Sequence, residues 1–457
     1  MIVSSNPATG ETLASFEEHE GAAIEQRLQR ARKAQQDWAR TPLSDRLPLL
    51  RRVAQQLRAD KATLARTMSL EMGKPLAEAV GEVEKCAWNF EFYAEAAPGF
   101  LRDQVVASSA TDSRIVYDPI GLVLAVMPWN YPLWQVMRAA APVLAGGNGL
   151  VLKHASNVPQ CAIAIEDLFA RAGLPAGLVT TLLVGSGAVP ALIADRRIAA
   201  VTFTGSTPAG RSIASNAGQA LKKQVLELGG SDAFIVLADA DIEAAAAVGV
   251  KARFQNTGQS CIAAKRFIVE DAIASRFVEA FCDLTRKYVV GDPLAEGTTQ
   301  GSMARTSLRD ELHAQVEATV REGAKLLLGG RPLPGVGAFY EPTVLDQVHP
   351  GMTAAREETF GPAAAILRVP NAAEAVRIAN GTPFGLGAAL WTRDTSRAAQ
   401  LVHEIEAGAV FVNGMVASDP RLPFGGTKES GYGRELGQLG LHEFMNAKTV
   451  WTGPART

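Results

Sequence analysis

The sequence predicts an α/β chain built on parallel sheets, and three observations carry that prediction. Apolar residues recur at three- and four-residue spacing through the first hundred residues, with charges between them. From about residue 115, short β-branched runs alternate with helical windows. The same alternation restarts after SDAFIVLADAD. Strand–helix alternation of this kind builds right-handed crossovers around a parallel sheet.

In order, IEQRLQRARKAQQDW and LPLLRRVAQQLRADKATLARTMSLEMG read as amphipathic helices. GLVLAVM then pairs with LWQVMRAAAPVLAGG, GLVLK with PQCAIAIEDLFARAG, LVTTLLV with a short helix, and AAVTFTG with PAGRSIASNAG, before KQVLELGG. Beyond residue 230, DIEAAAAVGVKARF, KRFIVE and SRFVEAFCDLTRKY continue the pattern, followed by LRDELHAQVEATVREG with AKLLLGG and AAEAVRIAN with GLGAALWT. A second α/β domain is therefore expected over about 230–415. The Gly- and Pro-rich tail, 416–457, reads as a docking or hairpin segment.

The 457 residues suffice for two or three domains, and a 47% apolar, 20% charged composition is that of a soluble globular protein. The net charge of −2, without a block of like charges, argues for neither nucleic acid nor an anionic membrane as partner. The opening residues lack a signal-peptide pattern, and no apolar run reaches the ~18 residues of a membrane span, so a cytoplasmic location is expected. The four cysteines form no C-x-x-C pair and the six histidines no ligand spacing, so no metal site is expected. Cys86, Cys161 and Cys282 lie in helical windows and read as packing.

Cys261 differs. In QNTGQSC it ends a run of amides, hydroxyls and two glycines, a polar loop where a nucleophile finds exposure and backbone donors. In KQVLELGGSDAF, Glu227 lies within an apolar strand, and burial lifts a carboxyl pKa towards the range of a general base; a structural salt bridge is the plainer alternative. In PWNYP, Pro128 and Pro132 fix the amide of Asn130, as an oxyanion donor requires, although a proline-bounded turn would look the same. AAVTFTGSTPAG sets Gly205 and Ser206 between a strand and a helix opening at Pro208, a place able to receive a pyrophosphate, though without G-x-G-x-x-G.

Together with SNPATGE, LKHAS, EETFGP and VNG…PFGGTKESGYGRE, these segments make eight ordered motifs, and in them the chain resembles the aldehyde dehydrogenase superfamily over essentially its whole length. The resemblance implies an aldehyde dehydrogenase-like fold. An NAD(P)-binding Rossmann-like domain would span 1–102 and 119–229, a catalytic domain 230–415, and oligomerisation segments 103–118 and 416–457, giving a homodimer or homotetramer. It implies that Cys261 attacks an aldehyde carbonyl and that Asn130 and the Cys261 N–H hold the oxyanion. Hydride then passes to a nicotinamide, and Glu227 activates the water that releases the acid. Trp129, Lys153, Ser156, Gly205, Ser206, Glu358 and Phe360 match cofactor positions. Where many members carry an acid that repels a 2′-phosphate, this chain has Lys153-His154-Ala155-Ser156, so both NAD and NADP are expected to serve.

For the substrate, Arg138 matches an arginine of succinate-semialdehyde dehydrogenases, where a guanidinium clasps the distal carboxylate; an arginine facing solvent or paired structurally is the plainer alternative. The texture of LWQVMR, VLELGGSD and GLHEF is similar to the short bacterial members. Gln135 lies one helical turn before Arg138. A second arginine that some members place before the nucleophile is Gln255 here, leaving Ser418 or Arg421 to assist. Succinate semialdehyde is the expected substrate, another small aliphatic or aromatic aldehyde the alternative. An acyl-CoA-forming enzyme is disfavoured by Glu227, and a non-catalytic descendant of the fold by the triplet Cys261, Glu227 and Asn130.

Overall fold

The computed structural model describes residues 1–454. One sheet has six strands, in the spatial order Gly431–Tyr432, Lys223–Glu227, Ile198–Thr204, Leu122–Met127, Gly149–His154 and Val179–Thr181. All are parallel except the first, which runs antiparallel to Lys223–Glu227. Every residue of Leu122–Met127 and Gly149–His154 is buried, and both carry apolar runs, LVLAVM and GLVL, the pattern of a parallel sheet covered on both faces. From Leu122–Met127 the chain first builds outward on one side, then returns to build on the other. The strand order reverses between Leu122–Met127 and Ile198–Thr204, and a crevice opens there at the strands' carboxyl ends. PWNYP follows one of those strands and GSTPAG the other.

The second sheet has seven strands, ordered Lys325–Leu328, Thr343–Asp346, Ala363–Val369, Ala264–Glu270, Asp232–Val236, Gly387–Trp391 and Ala409–Val412, with only Lys325–Leu328 antiparallel. The chain passes from one sheet to the other between Glu227 and Asp232. Helices Leu43–Ala59, Leu76–Phe100 and Trp134–Ala145 pack beside the first sheet around Leu57, Phe90, Met137 and Leu144, all fully buried.

Two features differ from the sequence expectation. The chain opens with a hairpin, Ile2–Ser5 against Thr12–Phe16, ahead of the helices; Gly10 supplies its left-handed turn at φ 79°. The tail is divided among three sheets instead of forming one docking piece. Thr427–Lys428 pairs with Phe384–Gly385, Gly431–Tyr432 with Leu226 and Glu227, and only Met445–Thr452 joins Asp112–Pro119 and Gln104–Val105 in a three-stranded antiparallel sheet. Glycine makes the second pairing possible: a Cβ on Gly431 would lie 2.0 Å from the Leu226 carbonyl oxygen.

Candidate active site

The loop before Cys261 is held in a conformation that side chains disfavour. Asn256, Thr257 and Gly258 have φ values of 55°, 56° and 70°, and a β-branched residue there costs on the order of 1–3 kcal/mol. Surrounding groups over-determine it. Glu78 accepts the Asn256 N–H at 2.7 Å. The fully buried Arg253 donates to the carbonyls of Gly258 (3.1 Å), Thr359 (3.2 Å) and Ala264 (3.3 Å) and also bonds Gly361. A Cβ on Gly258 would meet the Gly361 carbonyl at 2.4 Å.

Cys261 is half-buried on the wall of a cavity of about 720 Å³ and carries a free thiol. Burial pushes that thiol up to about 12, with Lys265 and Arg138 opposing the shift and Glu227 and Glu358 adding to it. Lys265, fully buried, donates to the carbonyls of Ser260 (3.0 Å) and Cys261 (2.7 Å) and pairs with Glu358 at 3.1 Å. One fixed cation therefore ties the thiol's own backbone to Glu358.

Glu227 ends its strand 1% exposed, and among the described residues neither of its oxygens has a hydrogen-bond partner. Burial first, then Glu435, lifts its carboxyl well above the usual range, against Arg138 and Arg434. Gly425 crosses close by: a Cβ there would meet Glu227 Oε1 at 2.9 Å. Arg138, 1% exposed, is ion-paired through Nε with the buried Glu435, donates from Nη2 to Thr204 Oγ1 at 3.3 Å, and lies over the Phe424 ring at 4.6 Å. The expected carboxylate clamp reaches the cavity wall, but two of its three nitrogens already have protein partners.

Asn130 is buried, and its Nδ2 donates one N–H to the Gln259 carbonyl at 3.1 Å. The amide retains a second N–H. Asn256 fixes the same corner, donating to the Asn130 and Gln259 carbonyls at 2.9 and 3.0 Å. The helix bearing Gln135 and Arg138 is anchored by Glu82, whose Oε1 accepts the N–H groups of Leu133 (2.9 Å) and Trp134 (2.8 Å). Its Oε2 pairs with the buried Lys74, and that ammonium lies 4.1 Å over Tyr131.

Gln135, Arg138, Gln255 and Ser418 all line the cavity with Cys261. Arg421 does not: it pairs with Asp419 at 2.6 Å and covers Trp88. The sequence reading missed Lys85, which lines the cavity, donates to Ser418 Oγ at 2.7 Å and lies 4.4 Å over the Trp134 ring. Burial, reinforced by Arg138, pushes its ammonium down to about 8. Glu78, Arg253 and Lys265 were missed as well. Glu78 is pushed up to about 7 by burial.

A second cleft, of about 320 Å³, opens at the crevice of the six-stranded sheet and is lined by Lys153, Gly205 and Ser206 among small and apolar residues. Helix Thr207–Gln219 starts there with Pro208 in its first turn, and the Ser206 side chain does not cap it, leaving that end open to an anion. These features fit a dinucleotide's adenosine and pyrophosphate. Ser156 is exposed and outside the lining. Glu358 accepts the Gly230 N–H at 3.0 Å, and Phe360 meets Trp129 edge-on at 5.8 Å. Among the described residues no cluster of His, Cys, Asp and Glu could hold a metal ion, and no helix is long and apolar enough to cross a membrane.

Residues 1–450 match the aldehyde dehydrogenase family. The chain is 49% identical to the probable succinate-semialdehyde dehydrogenase [NADP(+)] of Synechocystis sp., over 98% of this chain and 99% of that protein. It is also 49% identical to the succinate semialdehyde dehydrogenase [NAD(P)+] of Escherichia coli, over 98% and 97%. The crystal structure of succinic semialdehyde dehydrogenase from Streptococcus pyogenes with NADP+ superposes with a TM-score of 0.97 at 36% identity, covering 99% of this chain and all of that one.

Proposed function

The chain belongs to the aldehyde dehydrogenase family, and on that premise we propose that it oxidises succinate semialdehyde to succinate with NAD or NADP as hydride acceptor. The observation that carries the substrate is the charge around Cys261. Lys85, Arg138, Lys251 and Lys287 line its cavity against Glu78 and Glu82. Of these two acids, Glu82 is already paired with Lys74 and Glu78 is pushed towards neutrality. Arg138 is committed to Glu435, but Lys85, Lys251 and Lys287 have no ion-pair partner among the described residues, and this surplus of positive charge favours an aldehyde that carries its own carboxylate. The names of the relatives at 49% identity support the same reading.

The cofactor cleft fits either dinucleotide. Lys153 stands in its lining, which includes no carboxylate to repel a 2′-phosphate. Lys153, Gly205 and Ser206 would hold the adenosine and pyrophosphate, with Glu358, Phe360 and Trp129 on the nicotinamide side.

In the reaction, the Cys261 thiol gives its proton to solvent in the cavity, favoured by the positive field of Lys265 and Arg138, and the sulfur adds to the aldehyde carbonyl. The second Asn130 N–H and the Cys261 backbone N–H stabilise the oxyanion of the thiohemiacetal. When bound, the dinucleotide supplies the acceptor for the hydride that this carbon gives up. A thioester remains on sulfur. Once Glu227 has lost its own proton to solvent, its carboxylate takes a proton from water, whose oxygen attacks the acyl carbon; the thiolate leaves and is reprotonated, releasing the carboxylic acid and the thiol.

The remaining assignments follow the same reading. Residues 1–102 and 119–229 form the dinucleotide domain and 230–415 the catalytic one. A homodimer or homotetramer forms along the three-stranded sheet, whose strand Met445–Thr452 is mostly exposed and carries Trp451 at 56% exposure, a ready edge for pairing. Four free cysteines suit a reducing cytoplasm.

The decisive experiment measures kcat/KM for aldehydes with and without a terminal carboxylate, using each cofactor. Succinate semialdehyde should exceed butanal by at least about 100-fold, the scale of one charged contact. A preference for neutral aliphatic or aromatic aldehydes would replace the substrate while leaving the family chemistry in place.

A further inference from the structure

Arg138 alone does not account for recognition of a carboxylate, because Glu435 and Thr204 occupy two of its nitrogens. Another cation in the same cavity is less committed. Lys85 extends from helix Leu76–Phe100 and donates one of its three N–H bonds to Ser418 Oγ at 2.7 Å. Its ammonium lies 4.4 Å over the face of Trp134, which holds the charge in place without neutralising it. The acidic groups that act on it have other partners: Glu82 pairs with Lys74, and Asp419 with Arg421. Lys85 itself makes no ion pair among the described residues. A half-buried ammonium facing a cavity, fixed by a hydroxyl and an aromatic face yet short of an anion, is arranged to receive one.

The geometry points to Lys85, with Ser418, as the group that reads the distal carboxylate of the substrate, so that specificity for ω-carboxylated aldehydes resides in this pair as well as in Arg138. The inference rests on the proposed substrate class and deepens it. In this arrangement Ser418 plays two parts. Its oxygen accepts from Lys85 and its hydroxyl proton remains available to the carboxylate, so both donors converge on one anion. Trp134 covers the ammonium from the side, where water would otherwise screen it.

The test compares native, K85M and K85R enzymes on succinate semialdehyde and on butanal, its uncharged four-carbon counterpart. K85M should lose about 10- to 100-fold more kcat/KM on succinate semialdehyde than on butanal, mostly through KM, with K85R recovering much of the difference. Equal losses on both aldehydes would overturn the assignment. A second measurement is independent of turnover: the rates at which iodoacetate, an anion, and iodoacetamide, neutral, alkylate Cys261, with the site located by mass spectrometry. K85M should lower the iodoacetate-to-iodoacetamide ratio several-fold, and an unchanged ratio would refute the role of Lys85. Should K85M fail to fold, K85Q takes its place in both measurements. If the native enzyme shows no preference for succinate semialdehyde over butanal, the proposed substrate fails, and the alkylation ratio then decides for or against Lys85 as an anion reader.

Discussion

Two buried carboxylates, one beneath a helix and one near the thiol, are treated in opposite ways. Glu82 has both oxygens engaged, by two backbone N–H groups on one side and the Lys74 ammonium on the other. Glu227, just as removed from solvent, has neither oxygen engaged by any described residue. Burial alone therefore does not mark a functional acid. The missing partners do, because a buried polar group left unsatisfied is destabilising and persists where chemistry needs it. Glu82 positions a helix; Glu227 is held ready for water.

Four experiments break or sharpen that contrast. The largest effect belongs to the thiol beside the unpaired acid: Cys261→Ala should lower steady-state NAD(P)H formation on the order of 10⁴-fold or more. Substantial residual turnover would remove the covalent route. Next, Glu82→Gln leaves the Lys74 charge buried without its counter-ion and should lose about 3–5 kcal/mol of stability, read from the urea midpoint. A near-native midpoint would show that the pairing beneath the helix is dispensable.

Glu227→Gln should keep a rapid first burst of NAD(P)H while the following steady rate falls about 10²–10³-fold. A rate without burst, equal to the native one, would reassign the base. The smallest effect is on stability against pH. Because the folded carboxyl of Glu227 lies above its unfolded value, the folded state holds this proton more tightly. Its contribution is full at acid pH and declines as pH rises from the usual carboxylate range towards the raised folded value. Native enzyme should therefore lose more stability than Glu227→Gln on going from pH 5 to pH 8, read as a larger drop in the urea midpoint. Parallel pH profiles would mean that Glu227 is not held in its neutral form.

The sequence made the chemistry of Cys261 and Glu227 legible because each is locally anomalous, a thiol in a polar loop and an acid in an apolar strand. The strands flanking the crevice were legible for a different reason, as short β-branched runs alternating with helical windows. Lys85 was not, since a lysine in an amphipathic helix reads as a solvated face, and only the packing of Trp134 and Ser418 turns it inward. Arg138 was found, but its ion pair was not: Glu435 comes from the far end of the chain, and no local pattern announces so distant a pairing. The division of the tail among three sheets escaped notice for that reason too. Two-residue strands leave no periodicity to read.

The tail also bears on how the protein is made. Ser418, Phe424, Gly425 and Glu435, together with the strand Gly431–Tyr432 that borders Glu227, all lie far beyond Cys261 in the chain. Until they emerge, the pocket lacks a wall and Arg138 its counter-charge. A polypeptide cut short before residue 418 would carry the cysteine without that wall and that counter-charge, so the setting of the sulfur is completed only after this segment has been made and packed.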